Sequence, residues 1–180
     1  MFSKSAQYYD EIYASVDKDY AAEAAKVRKF IQKYKQSKGK SLLDVACGTG
    51  SHDGYLSKYY QVEGLDLDSQ MLSAAKKKYP KIRFHQGDMT DFDLGRQFDV
   101  VVCLFSAIGY AKTKPRLQKA IKTMSRHLLP GGVVLIEPWF TPKQWYPGRT
   151  YIAQVNKPDL KLVRMSLSRQ RGKRALLEFH

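Results

Sequence analysis

Leu42-Leu43-Asp44-Val45-Ala46-Cys47-Gly48-Thr49-Gly50-Ser51-His52 is a short apolar run that ends in two glycines one residue apart. The run from Leu42 to Ala46 has the pattern of a strand buried on both faces, as in a parallel sheet. Gly48 and Gly50 then turn the chain. Glycine adopts positive φ without strain and lets a ligand approach bare backbone. Ser51 and Asp53 are placed to cap the helix that would follow. A strand, a glycine-rich turn and a helix start form a nucleotide cradle at the carboxyl end of a sheet. A dinucleotide site wants Gly-x-Gly-x-x-Gly, and the last position here is Asp53, which disfavours NAD.

Sixteen residues beyond Gly50, Val62-Glu63-Gly64-Leu65-Asp66 reads as a second strand ending in an acid. A carboxylate there can accept both hydroxyls of a ribose. Asp68 and Ser69 start a helix that runs to Lys78 and stops before Pro80. A third strand, Ile82 to His85, leads into Gln86-Gly87-Asp88-Met89. The Asp88 carboxylate can reach an adenine amino group there, with Met71 or Met89 packing on the ring.

These features resemble class I S-adenosylmethionine (SAM)-dependent methyltransferases. Four stretches carry the resemblance, in the family's order: Asp44 to Gly50, Gly64-Leu65-Asp66, Gly87-Asp88-Met89 and Leu128-Leu129-Pro130-Gly131-Gly132. It covers roughly residues 8–140. The nearest branch N-methylates amino sugars on nucleotide carriers, on the strength of Tyr9 to Tyr13, Lys18 to Glu23, Phe105 to Tyr110 and Glu137-Pro138-Trp139. Ala46 stands where the family's glycine triplet usually begins. The resemblance implies a SAM site built from Asp44, Ala46, Gly48, Gly50, Asp66, Leu67, Met71, Asp88, Met89, Leu104 and Tyr20. It also implies that Tyr13, Tyr110 or Tyr20 positions the methyl acceptor, with Tyr13 and Tyr110 preferred and no base singled out. Gly48 and Gly50 would admit the methionine portion, which Asp44 would orient through water or its ammonium.

The remaining elements fit an α/β fold with a doubly wound, mostly parallel, Rossmann-like sheet. Tyr8, Tyr9 and Tyr13 mark an N-terminal helical lid. Asp17 or Asp19 caps a helix to about Gln36, with Val27, Phe30, Ile31 and Tyr34 as its buried stripe. Phe98 to Leu104 is a continuous apolar strand, and the loop Phe105 to Tyr110 at its end faces the same crevice as Gly48 and Asp66. Thr113 caps a helix with Pro115 in its first turn, packed through Leu117, Ile121, Met124 and Leu128. His127, near its end, suits the helix dipole better than chemistry. Pro130-Gly131-Gly132 ends that helix, and Val133 to Ile136 is the fifth strand. Five apolar strands joined by four helical crossovers imply the parallel order.

Beyond Trp139 the pattern becomes antiparallel, with strands at Tyr151 to Val155, Leu160 to Ser168 and Arg174 to Phe179. The expected organisation is a SAM-binding core with its lid at residues 1–140 and an antiparallel extension of the same domain at residues 141–180. The family's sheet normally closes with two further strands, for which the chain shows no sequence, so either the protein is truncated or its sheet is completed unusually. An exposed strand edge there would invite pairing into a homodimer.

The chain has 180 residues and is 43% hydrophobic and 27% charged, which suits one core of ordinary size. No apolar run approaches a membrane span or a signal region, so a cytoplasmic location is expected. Cys47 and Cys103 read as reduced, buried thiols. His52, His85, His127 and His180 have no metal-ligand spacing with each other or with cysteine. The net charge is +14, and nine Lys or Arg against two acids fall between Pro142 and His180. Such a surface suits phosphate-bearing partners. Three readings follow. The first is a small-molecule methyltransferase acting on an amine such as an amino sugar. The second is an RNA methyltransferase, against which the loop at Phe105 lacks an Asn/Asp-Pro-Pro-aromatic box and a Pro-Cys pair. The third is a non-catalytic SAM-binding module. The first is favoured, with no membrane or metal partner.

Overall fold

The computed structural model describes residues 3–180. The first two residues of the expected lid lie outside the described part. In chain order the elements are a 3-10 turn (Ser3–Tyr8), α1 (Tyr9–Ala14), α2 (Tyr20–Tyr34), β1 (Ser41–Val45), α3 (Ser51–Leu56), β2 (Gln61–Asp66), α4 (Ser69–Lys78), β3 (Arg83–Gln86) and β4 (Phe98–Cys103). A 3-10 turn (Ala107–Ala111), α5 (Lys114–Arg126), β5 (Leu128–Ile136), β6 (Thr150–Asn156), β7 (Lys161–Arg171) and β8 (Arg174–Phe179) follow. Contacts divide the chain into two units, Met1–Gln7 with Asp19–Trp139, and Tyr8–Lys18 with Phe140–His180.

The first unit is a five-stranded sheet in the order β3-β2-β1-β4-β5, parallel throughout. The doubly wound expectation is met. β1 is central and every residue in it is buried. Its side chains alternate between two apolar layers. Leu42, Val100 and Val102 pack with Ala24, Val27 and Ile31 of α2 and Leu56 of α3. Leu43, Val45, Val101 and Cys103 pack with Ala120 and Met124 of α5. Burial of each such Leu or Val is worth about 1.5–3 kcal/mol, so β1 cannot shift register without exposing one layer.

Several expectations need correction. Phe30 and Tyr34 are 50% and 53% exposed and stack on each other, so the buried stripe of α2 is Ala24, Val27 and Ile31. On α5 the buried positions are Ala120, Thr123 and Met124, and Ile121 is 40% exposed. A stripe built on small residues lets a helix lie close to a sheet, and hydropathy counting overlooks it. α5 ends at Arg126, and β5 already begins at Leu128. Pro130-Gly131-Gly132 therefore lies inside β5, where the register against β4 breaks between Phe98 and Val100. The β3 to β4 connection, residues 87–97, contains no helix, so helices cross over at three of the four connections.

The second unit is an antiparallel sheet, β6-β7-β8. Ile12 of α1 packs on Ala153 and Val155 of β6, flanked by Tyr8, Val16, Leu160 and Leu162. Glu11 pairs with Lys157. The residues expected to form a lid thus share a core with the C-terminal strands. No helix among the described residues is long and apolar enough to cross a membrane.

Candidate functional site

In a parallel sheet the crevice lies outside the carboxyl ends of the strands, at the point where strand order reverses. Here that point lies between β1 and β4. Ala46 to Gly50 leave β1, Asp66 ends β2, Gly87 and Asp88 follow β3, Leu104 to Tyr110 follow β4 and Glu137 follows β5. Two surface cavities of about 430 and 310 Å³ lie at the opposite edge, lined by Asp93 to Gln97 with Arg126 and His127, and by Arg28, Lys38 to Lys40 and Lys58 to Tyr60. Neither is lined by Ala46 to Gly50, Asp66, Asp88 or Phe105 to Tyr110.

The turn after β1 is held by backbone and by one acid. Ala46 and Cys47 N–H both donate to the Leu65 carbonyl, at 2.7 and 3.0 Å. Ala46 takes φ 64°, a left-handed conformation costly for a residue with a Cβ. Gly48 and Gly50 take φ 58° and 72°. A Cβ on Gly48 would meet nothing within 4 Å, whereas one on Gly50 would press on Phe84 and Tyr79 at 3.1 and 3.3 Å. Gly48 thus offers open backbone, and Gly50 is fixed by packing. The expected caps are corrected: Gly50 is the N-cap of α3, no side chain caps it, and Ser51 and Asp53 lie within the helix.

Asp66 Oδ2 accepts from Gly48 N at 2.8 Å and Oδ1 from Asp68 N at 2.9 Å. Burial raises the Asp66 carboxyl above its usual range, against the pull of these N–H groups. A carboxylate has about four acceptor positions, so acceptor capacity remains for the hydroxyls of a ribose edge. Leu67 beside it is 65% exposed, and Met71 on the first turn of α4 is buried.

Asp88 is more occupied. Oδ1 accepts from Thr90 N and Oγ1, both at 2.8 Å, and Oδ2 from Arg116 at 2.9 Å. Burial pushes this carboxyl up, but the Thr90 and Arg116 hydrogen bonds outweigh it and hold the group low. Met89 packs on the α5-side core, and Leu104 lies in the α2-side core. Tyr20, the first residue of α2, meets His52 edge-on at 4.9 Å. His52 Nε2 lies 2.8 Å from Glu23 Oε2.

The acceptor end is built on strained backbone. Phe105 and Ser106 take φ 52° and 57° in succession. Two left-handed non-glycine residues persist only when their surroundings hold them. Phe105 N donates to Glu137 Oε2 at 2.6 Å and Ser106 Oγ to the Pro138 carbonyl at 2.9 Å. The loop after β4 is thereby bolted to the segment after β5. Tyr110, in the 3-10 turn that follows, is 44% exposed. Tyr13 belongs to the second unit, where it packs on Tyr9 and under Arg164. His127 is the C-cap of α5, with Nδ1 2.8 Å from the Thr123 carbonyl and Nε2 accepting from Leu94 N at 3.3 Å.

Asp53 escaped sequence reasoning except as a cap. It is 0% exposed and lies against Asp44, which is 2% exposed. Only a nine-residue spacing connects them in sequence, and a helix of unknown rotation hides which way Asp53 faces. Glu137 was legible only through its neighbours Pro138 and Trp139.

Open backbone at Gly48, spare acceptor positions on Asp66 and buried carboxyl oxygens at Asp44 fit an adenosyl sulfonium amino acid. Fold and site define a class I, Rossmann-like SAM-dependent methyltransferase. A family profile described as "Methyltransferase domain" matches residues 42–132. A dTDP-3-amino-3,4,6-trideoxy-alpha-D-glucopyranose N,N-dimethyltransferase of Streptomyces venezuelae is 40% identical over 176 residues, covering 97% of this chain and 74% of that protein. A dTDP-3-amino-3,6-dideoxy-alpha-D-glucopyranose N,N-dimethyltransferase of Streptomyces fradiae is 39% identical, covering 97% and 69%. Among solved structures, Streptomyces venezuelae DesVI superposes with a TM-score of 0.88 at 37% identity over 97% of this chain and 81% of that one. A SAM-bound amino pentose methyltransferase from Micromonospora echinaspora gives 0.84 at 33% identity, over 96% and 80%. The chain belongs to the methyltransferase-domain family and is a SAM-dependent methyltransferase.

Proposed function

We propose that the chain N-methylates an amino sugar carried on a nucleotide, with the cofactor roles expected of Asp44, Gly48, Asp66 and Asp88. The observation that supports the acceptor is the extent of the likeness. Relatives acting on dTDP-linked amino sugars match through 97% of the chain, which includes β6 to β8 as well as the cofactor motifs. The net charge of +14 is complementary to the phosphates of such a carrier.

When bound, SAM supplies a methyl group already activated on a sulfonium. The chain's own task is alignment, which can lower a barrier by roughly 7–11 kcal/mol. Asp66 takes the ribose hydroxyls on its remaining acceptor capacity. Gly48 admits the amino-acid portion to bare backbone near Asp44. Asp88 and Met89 border the adenine, with Leu67 and Met71 beside it. Phe105 and Ser106, bolted to Glu137 and Pro138, set the position of Tyr110, whose phenol orients the acceptor amine. The amine must arrive neutral, so its proton leaves to solvent or to a neighbouring base. A cytoplasmic site of action agrees with two free cysteines.

Incubation with labelled SAM and a dTDP-amino sugar tests this reading. Transfer of label to the sugar nitrogen is expected, and saturable SAM binding without transfer to any amino sugar refutes the acceptor. The charge also admits RNA as acceptor. Label appearing in bulk RNA, with a salt-sensitive gel shift, would favour that alternative.

A further inference from the structure

Asp44 and Asp53 meet beneath the Gly48–Gly50 turn, sealed from solvent by β1 and α3. Asp44 ends the face of β1 that points toward α2 and α3, and Asp53 is the third residue of α3. As bare carboxylates, one oxygen of Asp44 and both oxygens of Asp53 find no donor. The two carboxyls nevertheless lie within hydrogen-bonding reach of each other. Two ionised carboxylates there would repel, and neither could donate. One proton between them turns the repulsion into a hydrogen bond. Burial raises Asp44 well above its ordinary value, and the Asp53 charge adds to this. Burial also raises Asp53, to about 7, against the pull of Asp44 and Lys78. Such a pair titrates as one unit.

Other charged groups flank the pair. His52, held by Glu23, and Asp66 act on Asp44. Lys78, whose Nζ donates to Ser51 at 2.9 Å, acts on Asp53. The Cys47 thiol lies among them, pushed up first by burial and then by Asp53, Asp44 and Asp66. Lys78 and the His52 imidazole face the pair on one side and the Asp66 and Glu23 carboxylates on the other, so a further cation beside Asp44 is what favours loss of the shared proton.

We propose that Asp53 is a positioning residue acting through Asp44: the pair shares one proton in the cofactor-free protein, and the cationic amino-acid end of SAM displaces that proton to solvent. This rests on the SAM-site reading above and adds to it a residue and a proton. A positive charge beside Asp44 stabilises the doubly ionised pair and lowers its proton affinity. Cofactor affinity therefore rises with pH, approaching tenfold per pH unit while one proton is released per SAM, and levels off once the cofactor-free pair has itself lost its proton.

Calorimetry of SAM binding at about pH 6, in two buffers of different ionisation heat, counts the protons. At that pH the cofactor's own ammonium is fully protonated and contributes nothing. The wild-type chain should release close to one proton per SAM. Asp53→Asn, which keeps His52, should release close to none and bind with pH-independent affinity. Proton release that persists in Asp53→Asn would come from His52 or another group and overturns the proposal. The wild-type protein supplies a second readout that needs no variant. The rise in Tm produced by saturating SAM should grow between about pH 5.5 and 7, and a constant rise overturns the proposal. SAM binding with no proton exchange refutes this inference alone. No SAM binding at any pH refutes the site reading beneath it.

Discussion

Asp66→Ala separates the hydrogen-bonding task that this carboxylate performs in the fold from the ribose-binding task proposed for it. Its oxygens hold Gly48 N at 2.8 Å and Asp68 N at 2.9 Å, which pins the glycine turn and starts α4. Hydrogen bonds to a charged group are worth about 1.5–3 kcal/mol each, but water can replace the carboxylate at half-buried N–H groups. Asp66 also recovers its own desolvation cost on removal. A stability loss of about 1–3 kcal/mol is therefore expected, read as the midpoint of urea unfolding. SAM affinity should fall at least tenfold, or about 1.4 kcal/mol, by calorimetry. A loosened turn would also weaken binding, so the ligand must be changed as well. A SAM analogue without the ribose 2′-hydroxyl should bind the wild-type protein about tenfold more weakly than SAM, while Asp66→Ala should not distinguish the two. A folded variant with unchanged SAM affinity, or equal sensitivity to the 2′-hydroxyl in both proteins, refutes the ribose assignment.

Other substitutions test neighbouring parts of the crevice. Gly50→Ala sets a Cβ against Phe84 and Tyr79 at a left-handed φ and should cost about 2–4 kcal/mol in chemical denaturation. Gly48→Ala meets open space, so it should cost only about 1–2 kcal/mol of stability but lower SAM affinity disproportionately. Ala46→Gly relieves φ 64° and should leave stability unchanged or raise it by up to about 1 kcal/mol, measured by thermal unfolding. Glu137→Ala removes the acceptor that holds Phe105 N. It should lower kcat at least tenfold with little change in SAM affinity, and equal losses in both would place Glu137 in the cofactor site.

The parallel core was legible because its strands are continuous apolar runs, and β1, β2 and β4 needed only small changes of boundary. The glycine turn and Asp66 were legible because bare backbone and a strand-end acid are demanded by position. Tertiary packing decided the rest. Phe30, Tyr34 and Ile121 are apolar yet lie outward, because Ala24, Ala120 and Thr123 are the residues small enough to seat a helix on the sheet. Pro130-Gly131-Gly132 looked like a helix stop, but a strand tolerates it at a register break beside β4. Residues 1–16 read as a lid, and Tyr8, Ile12 and Val16 among them share a core with β6, since long-range partners leave no periodicity of their own. Asp53 was invisible as a partner of Asp44 because nothing local tells which face of a six-residue helix turns inward.

The most direct test of the account is mass spectrometry of dTDP-3-amino-3,6-dideoxyglucose after incubation with the enzyme and SAM. The account predicts products carrying one and then two added methyl groups on the sugar nitrogen, with matching formation of the demethylated cofactor. An unmodified sugar in the presence of protein that binds SAM, repeated with the other dTDP-amino sugars its relatives methylate, would contradict it.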